Sequence, residues 1–381
     1  MRAISYVQPR RVAFGNGCAA KCVEDVLQLG LHRAFVITGP PIRPLVEPLV
    51  EDLRQGGVSV GVYAKIFTEP TIAMLDDALE EAEAFQPDLV IGFGGGSSMD
   101  VAKLVASLPS SGQRVEDVFG IGLLASRETH LILLPTTAGT GSEVSPIAIV
   151  LDEAAQLKKG VVSQHLVADA AYIDPLMTVT VPPAVTAATG MDALTHCIEE
   201  YANRFAHPVI DLYALQGIRL IAANLLRAVE KGDDEQARAK VALGSFYGGL
   251  GLGPVNTGAV HALAYPLGGE FHVAHGVSNA VLLPHVIERC LAAAPERYAE
   301  IALAMGVEPG DSASQTARRG VARMWELSQE CGIPSHMADL GVPREAIPRM
   351  AELAMTVTRL LKNSPYQVTA ADARAIYEAA F

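Results

Sequence analysis

The stretch from Asp88 to Asp100, Asp-Leu-Val-Ile-Gly-Phe-Gly-Gly-Gly-Ser-Ser-Met-Asp, decides the expected fold class of this chain. Its first half is a continuous apolar run, which is typical of a strand that is buried on both faces. Three glycines follow at Gly94, Gly95 and Gly96, and the residues of Met99–Ser107 then have a helical pattern. A buried strand that turns directly into a helix is the building unit of a parallel α/β sheet.

Other segments of the first half repeat this pattern. Strands are predicted at Ala34–Thr38, Val58–Tyr63, Thr129–Leu134 and Ala170–Asp174, and a helix at Thr71–Phe85. Beyond Val181-Pro182-Pro183 the sequence contains no convincing strand, and it predicts helices at Pro183–Phe205, Val209–Lys231, Asp234–Leu250, Ala259–Leu267, Asn279–Leu291, Glu296–Met305, Gln315–Cys331 and Arg344–Leu353. We therefore expect an α/β domain with a mainly parallel sheet over residues 1–180 and an all-α domain over residues 181–381.

Composition and charge narrow the class of protein. The net charge of −13 disfavours binding to nucleic acid or to an anionic membrane surface. Five scattered cysteines, an odd number, indicate reduced thiols rather than a disulfide framework. The N-terminus contains no apolar signal segment, and the uncharged stretch Val241–Gly269 has the glycines and prolines of a buried helix pair rather than of a membrane span. We expect a soluble, cytoplasmic protein.

Two loops that follow predicted strands have the composition of a phosphate-binding site. Gly94–Gly96 allow close approach of a pyrophosphate, and the following helix offers free N–H groups at its start, where Ser97 or Ser98 can cap it and Asp100 is electrostatically favoured. The second loop, Pro135–Glu143, is rich in hydroxyl groups and small residues. Because the carboxyl ends of parallel strands share one edge, both loops are expected to face one crevice. A tight turn and simple helix caps are the structural alternatives.

Four residues of the second half form a candidate set of metal ligands. Asp192 and His196 are four residues apart on a predicted helix, which places their Cβ atoms about 6 Å apart on one face. His261 lies in the uncharged stretch and needs a polar partner there, and His275 precedes a glycine that can open a further helix. One oxygen and three nitrogen ligands suit Fe²⁺ or Zn²⁺, which would act as a Lewis acid on an alcohol or carbonyl oxygen. An Asp–His hydrogen bond is the alternative for the first pair.

With these residues, the chain resembles the iron-containing (group III) alcohol dehydrogenase family along nearly its whole length. The resemblance rests on PRRVAFG at residues 9–15, GGGSSMDVAK, PTTAGTGSE, GMDALTHCIE, HALAYPLGGEFHVAHG and the Asn363-Ser-Pro365 segment. It implies an N-terminal dinucleotide-binding domain and a C-terminal metal-binding domain in a dehydroquinate synthase-like fold, with the active site in the cleft between them. The implied reaction is hydride transfer between NAD or NADP and a small primary alcohol (or hydroxy acid), which becomes an aldehyde (or oxo acid).

The resemblance also implies roles for single residues. Asp192, His196, His261 and His275 would bind Fe²⁺ or Zn²⁺. The cofactor would contact the glycine after the first predicted strand, residues of both loops and one lysine beyond them, namely Gly39, Gly94, Gly95, Gly96, Ser97, Asp100, Thr136, Thr137, Thr140, Ser145 and Lys159.

Two positions depart from the pattern of the family. Many NAD-using relatives have an acidic residue after the first strand, where this chain has Gly39 followed by Arg43. Without that carboxylate a 2′-phosphate is not repelled, so NADP is an option beside NAD. Many relatives also have a histidine four residues after His261, a candidate proton relay, where this chain has Tyr265. Tyr265 itself or His272 is the expected substitute.

Two other enzymes of the same fold are the alternatives. A dehydroquinate synthase-like enzyme would need lysines and arginines near the metal, and Val241–Gly269 contains none. A maleylacetate reductase-like enzyme is a nearer alternative, although those enzymes lack an aspartate at the position of Asp100. The expected partners are a small alcohol or aldehyde and further copies of the chain in a homodimer or higher oligomer, with no nucleic acid and no membrane.

Overall fold

The computed structural model describes residues 2–381 and divides them into two compact units. The first unit comprises Val7–Thr137 and Ser142–Val179. The second comprises Thr180–Phe381 together with Ala138–Gly141 and the N-terminal residues up to Tyr6. The segment Ala138–Gly141, from the middle of the predicted hydroxyl-rich loop, therefore belongs to the helical unit.

The first unit is built on a parallel sheet, which confirms the predicted α/β class. Its strands are β1 (Arg11–Phe14), β2 (Arg33–Ile37), β3 (Ser59–Tyr63), β4 (Leu89–Gly94), β5 (Gly120–Ile121), β6 (His130–Pro135), β7 (Ile147–Asp152), β8 (Leu157–Val162) and β9 (Ala170–Ile173). Six of them form one sheet in the order β1-β9-β6-β4-β2-β3, and every pairing in it is parallel. Its helices are α1 (Lys21–Gln28), α2 (Arg43–Gln55), α3 (Ile72–Phe85) and α4 (Gly96–Ser111).

The central strands are apolar throughout because both faces of the sheet are covered. In β6, Leu131 and Leu133 pack into one hydrophobic cluster, whereas Ile132 and Leu134 pack into a second cluster. Successive side chains of a strand point to opposite faces, so a strand between two cores needs apolar residues at every position.

A second, three-stranded sheet in the order β5-β8-β7 was not predicted from the sequence. Strand β8 contains Lys158 and Lys159, which interrupt the apolar pattern by which a strand is recognised. In the structure these lysines pair with Glu69 and Asp152, at 2.5 and 2.7 Å.

The second unit is helical, and no strand occurs in residues 180–381, as the sequence pattern predicted. Its helices are α5 (Pro183–Tyr201), α6 (Pro208–Glu230), α7 (Glu235–Gly251), α8 (Ala259–Phe271), α9 (His275–Cys290), α10 (Pro295–Ala304), α11 (Ala313–Glu330), α12 (Ile347–Thr356), α13 (Thr358–Leu361) and α14 (Ala370–Ala380). Helix α8 is buried from Ala259 to Gly269, which fits the prediction that the uncharged stretch is core.

One helix, α6, is long and apolar enough to meet the length and composition criteria for a membrane span. Its mean hydropathy is 1.4 over the qualifying window, and 33% of that window is buried. The helix packs against α5 and α7 within the second unit.

Candidate metal and cofactor sites

Helix α5 presents a row of buried polar side chains on one face. Asp192, His196 and Glu199 are four and three residues apart, so they follow one another along the same side of the helix. All three are buried, with exposed fractions of 2%, 5% and 7%. Polar groups buried to this degree require partners, and these partners come from α8, from α9 and from the backbone of Gly139.

Three of the four predicted metal ligands converge on one point. The ligand atoms of Asp192, His261 and His275 all lie within 4.8 Å of one another and form a possible metal site. The Nε2 atoms of His261 and His275 are 3.5 and 3.6 Å from Oδ1 of Asp192. These distances leave space for a cation between the groups, which are too far apart for good direct hydrogen bonds.

His196, the fourth predicted ligand, lies beside this group. Its ring stacks on that of His261 with centroids 4.7 Å apart and an interplanar angle of 17°. Its Nδ1 donates a hydrogen bond to the carbonyl oxygen of Gly139 at 3.2 Å. Since a carbonyl can only accept, this bond places the proton of a neutral ring on Nδ1 and leaves the Nε2 lone pair available to a metal.

Two residues that the sequence analysis did not identify hold the predicted ligands in place. Oε2 of Glu199 accepts a hydrogen bond from Nδ1 of His261 at 2.6 Å, and its Oε1 accepts one from the backbone N–H of Val260, also at 2.6 Å. Nδ2 of Asn279 donates to Oδ1 of Asp192 at 2.6 Å. Glu199 lies seven residues after Asp192, and Asn279 lies four residues after His275, so helical spacing was the signal that could have found both.

Close helix packing brings the start of α9 against α5, next to the candidate metal site. Gly276, the second residue of α9, lies so near α5 that an added Cβ atom would collide with the carbonyl group of Ala188. Gly141 similarly packs against the backbone of Gly249 in α7, and Gly139 packs against Thr189 in α5. The small residues in these motifs therefore permit the approach that places His275 and the Gly139 carbonyl beside the ligands.

The charges of the group stabilise one another. Burial by itself would raise the pKa of Asp192, but His196, His275 and His261 together hold that pKa far below its usual value. Burial opposes protonation of His261, yet the carboxylates of Asp192 and Glu199 raise its pKa to about 9. The site therefore attracts positive charge, whether this is a proton or a cation.

In the first unit, the two predicted cofactor loops lie side by side. Strands β4 and β6 are paired in parallel register through Gly94 and Pro135, and the backbone N–H of Thr136 donates to the carbonyl of Gly94 at 2.9 Å. Gly95 caps α4, and a Cβ atom there would lie 3.3 Å from Oγ1 of Thr137. The free N–H groups at the start of α4 therefore adjoin the hydroxyl-rich loop.

Asp100 and Lys103 anchor the hydroxyl-rich loop on α4. The two carboxylate oxygens of Asp100, a predicted cofactor contact, accept hydrogen bonds from Oγ of Ser142 at 2.5 Å and from the N–H of Ile149 at 2.9 Å. Lys103 is fully buried, and its Nζ donates to Oγ of Ser142 at 2.8 Å and to the carbonyls of Ser145 and Ile147 at 2.9 and 2.7 Å. Burial lowers the pKa of Lys103 to about 8, against the effect of Asp100.

Lys159 and Gly39, the other predicted cofactor contacts, lie in different parts of the first unit. Lys159 extends from β8, pairs with Asp152 and lies 5.2 Å from the centre of the Phe119 ring. Gly39 follows β2, and a Cβ atom there would collide with the carbonyl oxygen of Ile66. Arg43, next to this turn, forms an exposed ion pair with Glu47 at 3.0 Å.

The two predicted proton-relay residues differ in their surroundings. Tyr265 is buried in α8, and its ring centre is 6.4 Å from that of His275. His272 forms the C-cap of α8 in a left-handed conformation, with φ of 54°, and is exposed.

Comparison with known proteins agrees with this arrangement. The sequence profile described as "Iron-containing alcohol dehydrogenase" matches residues 9–175, and the profile "Fe-containing alcohol dehydrogenase family, C-terminal" matches residues 186–381. Long-chain-alcohol dehydrogenase 1 of Geobacillus thermodenitrificans (strain NG80-2) is 42% identical over 96% of this chain and 94% of that protein. The NAD-dependent methanol dehydrogenase of Bacillus methanolicus is 31% identical over 92% of each chain.

Solved structures show the same fold. A crystal structure of 1,3-propanediol oxidoreductase has a TM-score of 0.96 and 35% sequence identity, and the match covers 100% of both chains. Three findings lead to one assignment. Family profiles match both halves of the chain, relatives above 30% identity match almost its whole length, and the fold is shared with solved structures. The chain belongs to the iron-containing alcohol dehydrogenase family and is an oxidoreductase that acts on alcohols.

Proposed function

We propose that this enzyme interconverts a small primary alcohol and its aldehyde with NAD, and that Asp192, His196, His261 and His275 bind the divalent ion that the reaction needs. The observation that carries the proposal is the convergence of Asp192, His261 and His275 within 4.8 Å, with His196 stacked on His261. Asp192 and His261 are buried and His275 is partly exposed. A cation between the three side chains would balance the cost of burying the carboxylate and the imidazoles.

The residues present fit a resident Fe²⁺ or Zn²⁺ ion. Nε2 of His261 is buried and makes no hydrogen bond to residues 2–381, whereas its Nδ1 is bound to Glu199. This is the arrangement of a metal-binding histidine, in which a second group fixes the tautomer and leaves one nitrogen for the ion. Both metals accept one carboxylate oxygen together with imidazole nitrogens.

Each group of residues has a defined task in the proposed mechanism. When bound, the divalent ion would polarise the substrate oxygen and the nicotinamide would exchange hydride with the substrate carbon. Glu199 and Asn279 keep His261 and Asp192 oriented by their 2.6 Å hydrogen bonds. The N–H groups at the start of α4 would bind the cofactor phosphates, and the adjoining loop, which Lys103 holds through Ser142, would position the nicotinamide.

We assign the proton transfer to Tyr265 rather than to His272. The hydroxyl of Tyr265 is held by a hydrogen bond from Nη2 of Arg359 at 3.4 Å, and its ring adjoins His275. His272, by contrast, is exposed at the C-terminal end of α8. The variant Tyr265→Phe should therefore lower kcat about 100-fold, within the range for loss of a general acid or base.

The proposed cofactor preference is NAD over NADP. Arg43, the residue that would meet a 2′-phosphate, is already paired with Glu47, and a new partner must compete with that carboxylate. A relative with this fold is named an NAD-dependent methanol dehydrogenase, which supports the same choice. We further propose that the enzyme acts in the cytoplasm as a homodimer or higher oligomer.

The test is a turnover assay on protein of known metal content. Nicotinamide absorbance should change when primary alcohols are supplied with NAD, and the rate should fall after treatment with a chelator and recover when Fe²⁺ or Zn²⁺ is added back. Asp192→Asn and His275→Gln should lose both bound metal and activity, whereas His336→Gln, which changes an exposed histidine of the same unit, should lose neither. Full activity after verified metal loss would refute the proposal.

A further inference from the structure

Arg359 occupies an unusual position close to the candidate metal site. It lies in α13, the four-residue helix Thr358–Leu361, which packs against α8. Its Nη2 is 3.4 Å from the hydroxyl of Tyr265, the ring of which adjoins that of His275. The guanidinium group is therefore separated from a proposed metal ligand by one aromatic side chain.

The other terminal nitrogen of Arg359 has no acceptor. Nη1 is buried and makes no hydrogen bond within residues 2–381. No other guanidinium nitrogen in that range is both buried and without a hydrogen bond. A buried cationic donor without an acceptor is costly, since charged groups lose more free energy on desolvation than neutral ones.

Two other arginines, one buried and one largely buried, have acceptors for their guanidinium groups. Arg238 is 3% exposed and donates to the carbonyls of Gly232 and Val181 and to the hydroxyl of Thr186. Arg127 donates to Asp169 and to three backbone carbonyls. The fold thus supplies acceptors where an arginine has a structural task, and it supplies none for Nη1 of Arg359.

We propose that Arg359 binds a carboxylate carried by the substrate, so that the preferred substrates of this enzyme are short hydroxy acids and the corresponding oxo acids. The inference rests on the proposed function, because the reacting carbon is taken to lie at the metal site while the carboxylate lies at Arg359. A guanidinium group matches the planar geometry of a carboxylate and forms charge-assisted hydrogen bonds with it. The substrate carboxylate supplies the acceptor that the protein does not.

The experiment compares matched pairs of substrates on the metal-loaded enzyme with NADH. Each pair consists of a neutral aldehyde and the ω-oxo carboxylate of the same chain length, such as butanal and 4-oxobutanoate, over three to five carbons. The wild-type enzyme is compared with Arg359→Met, which removes the charge, and with Arg359→Lys, which keeps it. Arg344→Gln is the matched control, because Arg344 is exposed and pairs with Glu378.

The inference predicts that kcat/KM favours the oxo acid over the aldehyde at one chain length or more. In Arg359→Met this ratio should fall about 100-fold, as expected for the loss of a hydrogen-bonded charge pair. Arg359→Lys should restore part of the ratio, and Arg344→Gln should leave it unchanged. Equal losses on both substrates in Arg359→Met would overturn the inference and give Arg359 a role in orienting Tyr265.

A binding measurement separates this inference from the proposed function. Butanoate and butanol are titrated into the metal-loaded protein and the melting temperature is followed. Butanoate should stabilise the wild-type protein more than butanol does, and this difference should be absent in Arg359→Met. If no aldehyde or oxo acid is turned over, the proposed function fails, and the melting curves still decide whether Arg359 binds a carboxylate. Equal stabilisation of both proteins would overturn the inference.

Discussion

Replacement of Glu199 by glutamine tests how the ligands are held. The two oxygens of Glu199 accept hydrogen bonds from Nδ1 of His261 and from the N–H of Val260, each at 2.6 Å. Glutamine has nearly the same shape but offers one oxygen and one NH₂ group. In the variant, therefore, one of the two buried donors faces another donor, and His261 loses the negative charge that fixes its orientation.

The loss of metal affinity expected in Glu199→Gln follows from these two hydrogen bonds. A hydrogen bond to a charged group contributes about 1.5–3 kcal/mol, and loss of a partner behind a metal-binding histidine typically lowers metal affinity about 10- to 100-fold. We therefore expect Glu199→Gln to raise the dissociation constant for Zn²⁺ by a factor in that range. The constant is measured by competition with a chromophoric chelator at fixed pH.

The control is Glu326→Gln, which alters an exposed glutamate of α11 that is paired with Arg323. This variant should bind Zn²⁺ as the wild type does. An affinity within twofold of the wild type in Glu199→Gln, with the fold intact by circular dichroism, would refute the reasoning that His261 is a ligand oriented by this carboxylate.

Three further predictions concern residues that support the two sites. Lys103→Met removes the amine that bonds to Ser142, Ser145 and Ile147. This variant should lower the free energy of unfolding, measured by urea denaturation, by about 3 kcal/mol and should weaken NAD binding. Unchanged stability would contradict the anchoring role of Lys103. Gly276→Ala forces α9 away from the Ala188 carbonyl and should reduce Zn²⁺ affinity in the chelator competition. The comparison is Gly306→Ala, which strains a backbone with positive φ but meets no neighbouring atom. Glu200→Gln should raise the melting temperature more at pH 7 than at pH 4, and an equal change at both pH values would contradict a neutral Glu200.

The surroundings of Glu200 determine how the stability of the protein depends on pH. Its carboxylate oxygens are buried without hydrogen bonds to the described residues, and burial raises its pKa well above the usual value, with a further contribution from Glu199. The folded state then binds more protons than the unfolded state above about pH 4, the ordinary pKa of a glutamate, so the stability of the wild type falls as the pH rises. Glutamine carries no proton to lose and does not incur that penalty.

The sequence predicted elements whose pattern reflects burial. The strands at β2, β4, β6 and β9 were found because most of their residues are apolar on both faces, as Leu131 to Leu134 show. Strand β8 was missed because Lys158 and Lys159 are residue types that are normally exposed to solvent. In the structure they pair with Glu69 and Asp152, which the sequence pattern does not connect to them. Ion pairs of this kind depend on the tertiary arrangement and leave no periodic signal.

The site was predictable to a similar extent. The motifs named Asp192, His196, His261 and His275, and the structure brings three of them together with the fourth stacked beside them. Glu199 and Asn279 were missed because each bonds to a predicted ligand on another helix, His261 and Asp192 respectively. Lys103 was missed because a lysine is normally exposed, although its neighbours Val101, Ala102, Leu104 and Val105 are all apolar and mark a buried helix face.

The proposed reaction requires one divalent ion held by Asp192, His196, His261 and His275. X-ray absorption spectroscopy on the Zn²⁺-loaded protein, with the metal content measured on the same sample, tests this directly. We expect one ion per chain, coordinated by three imidazole nitrogens and a carboxylate oxygen at about 2.0–2.2 Å, and we expect His261→Ala to lose that signature. An ion that remains bound with the same spectrum in His261→Ala would contradict this expectation.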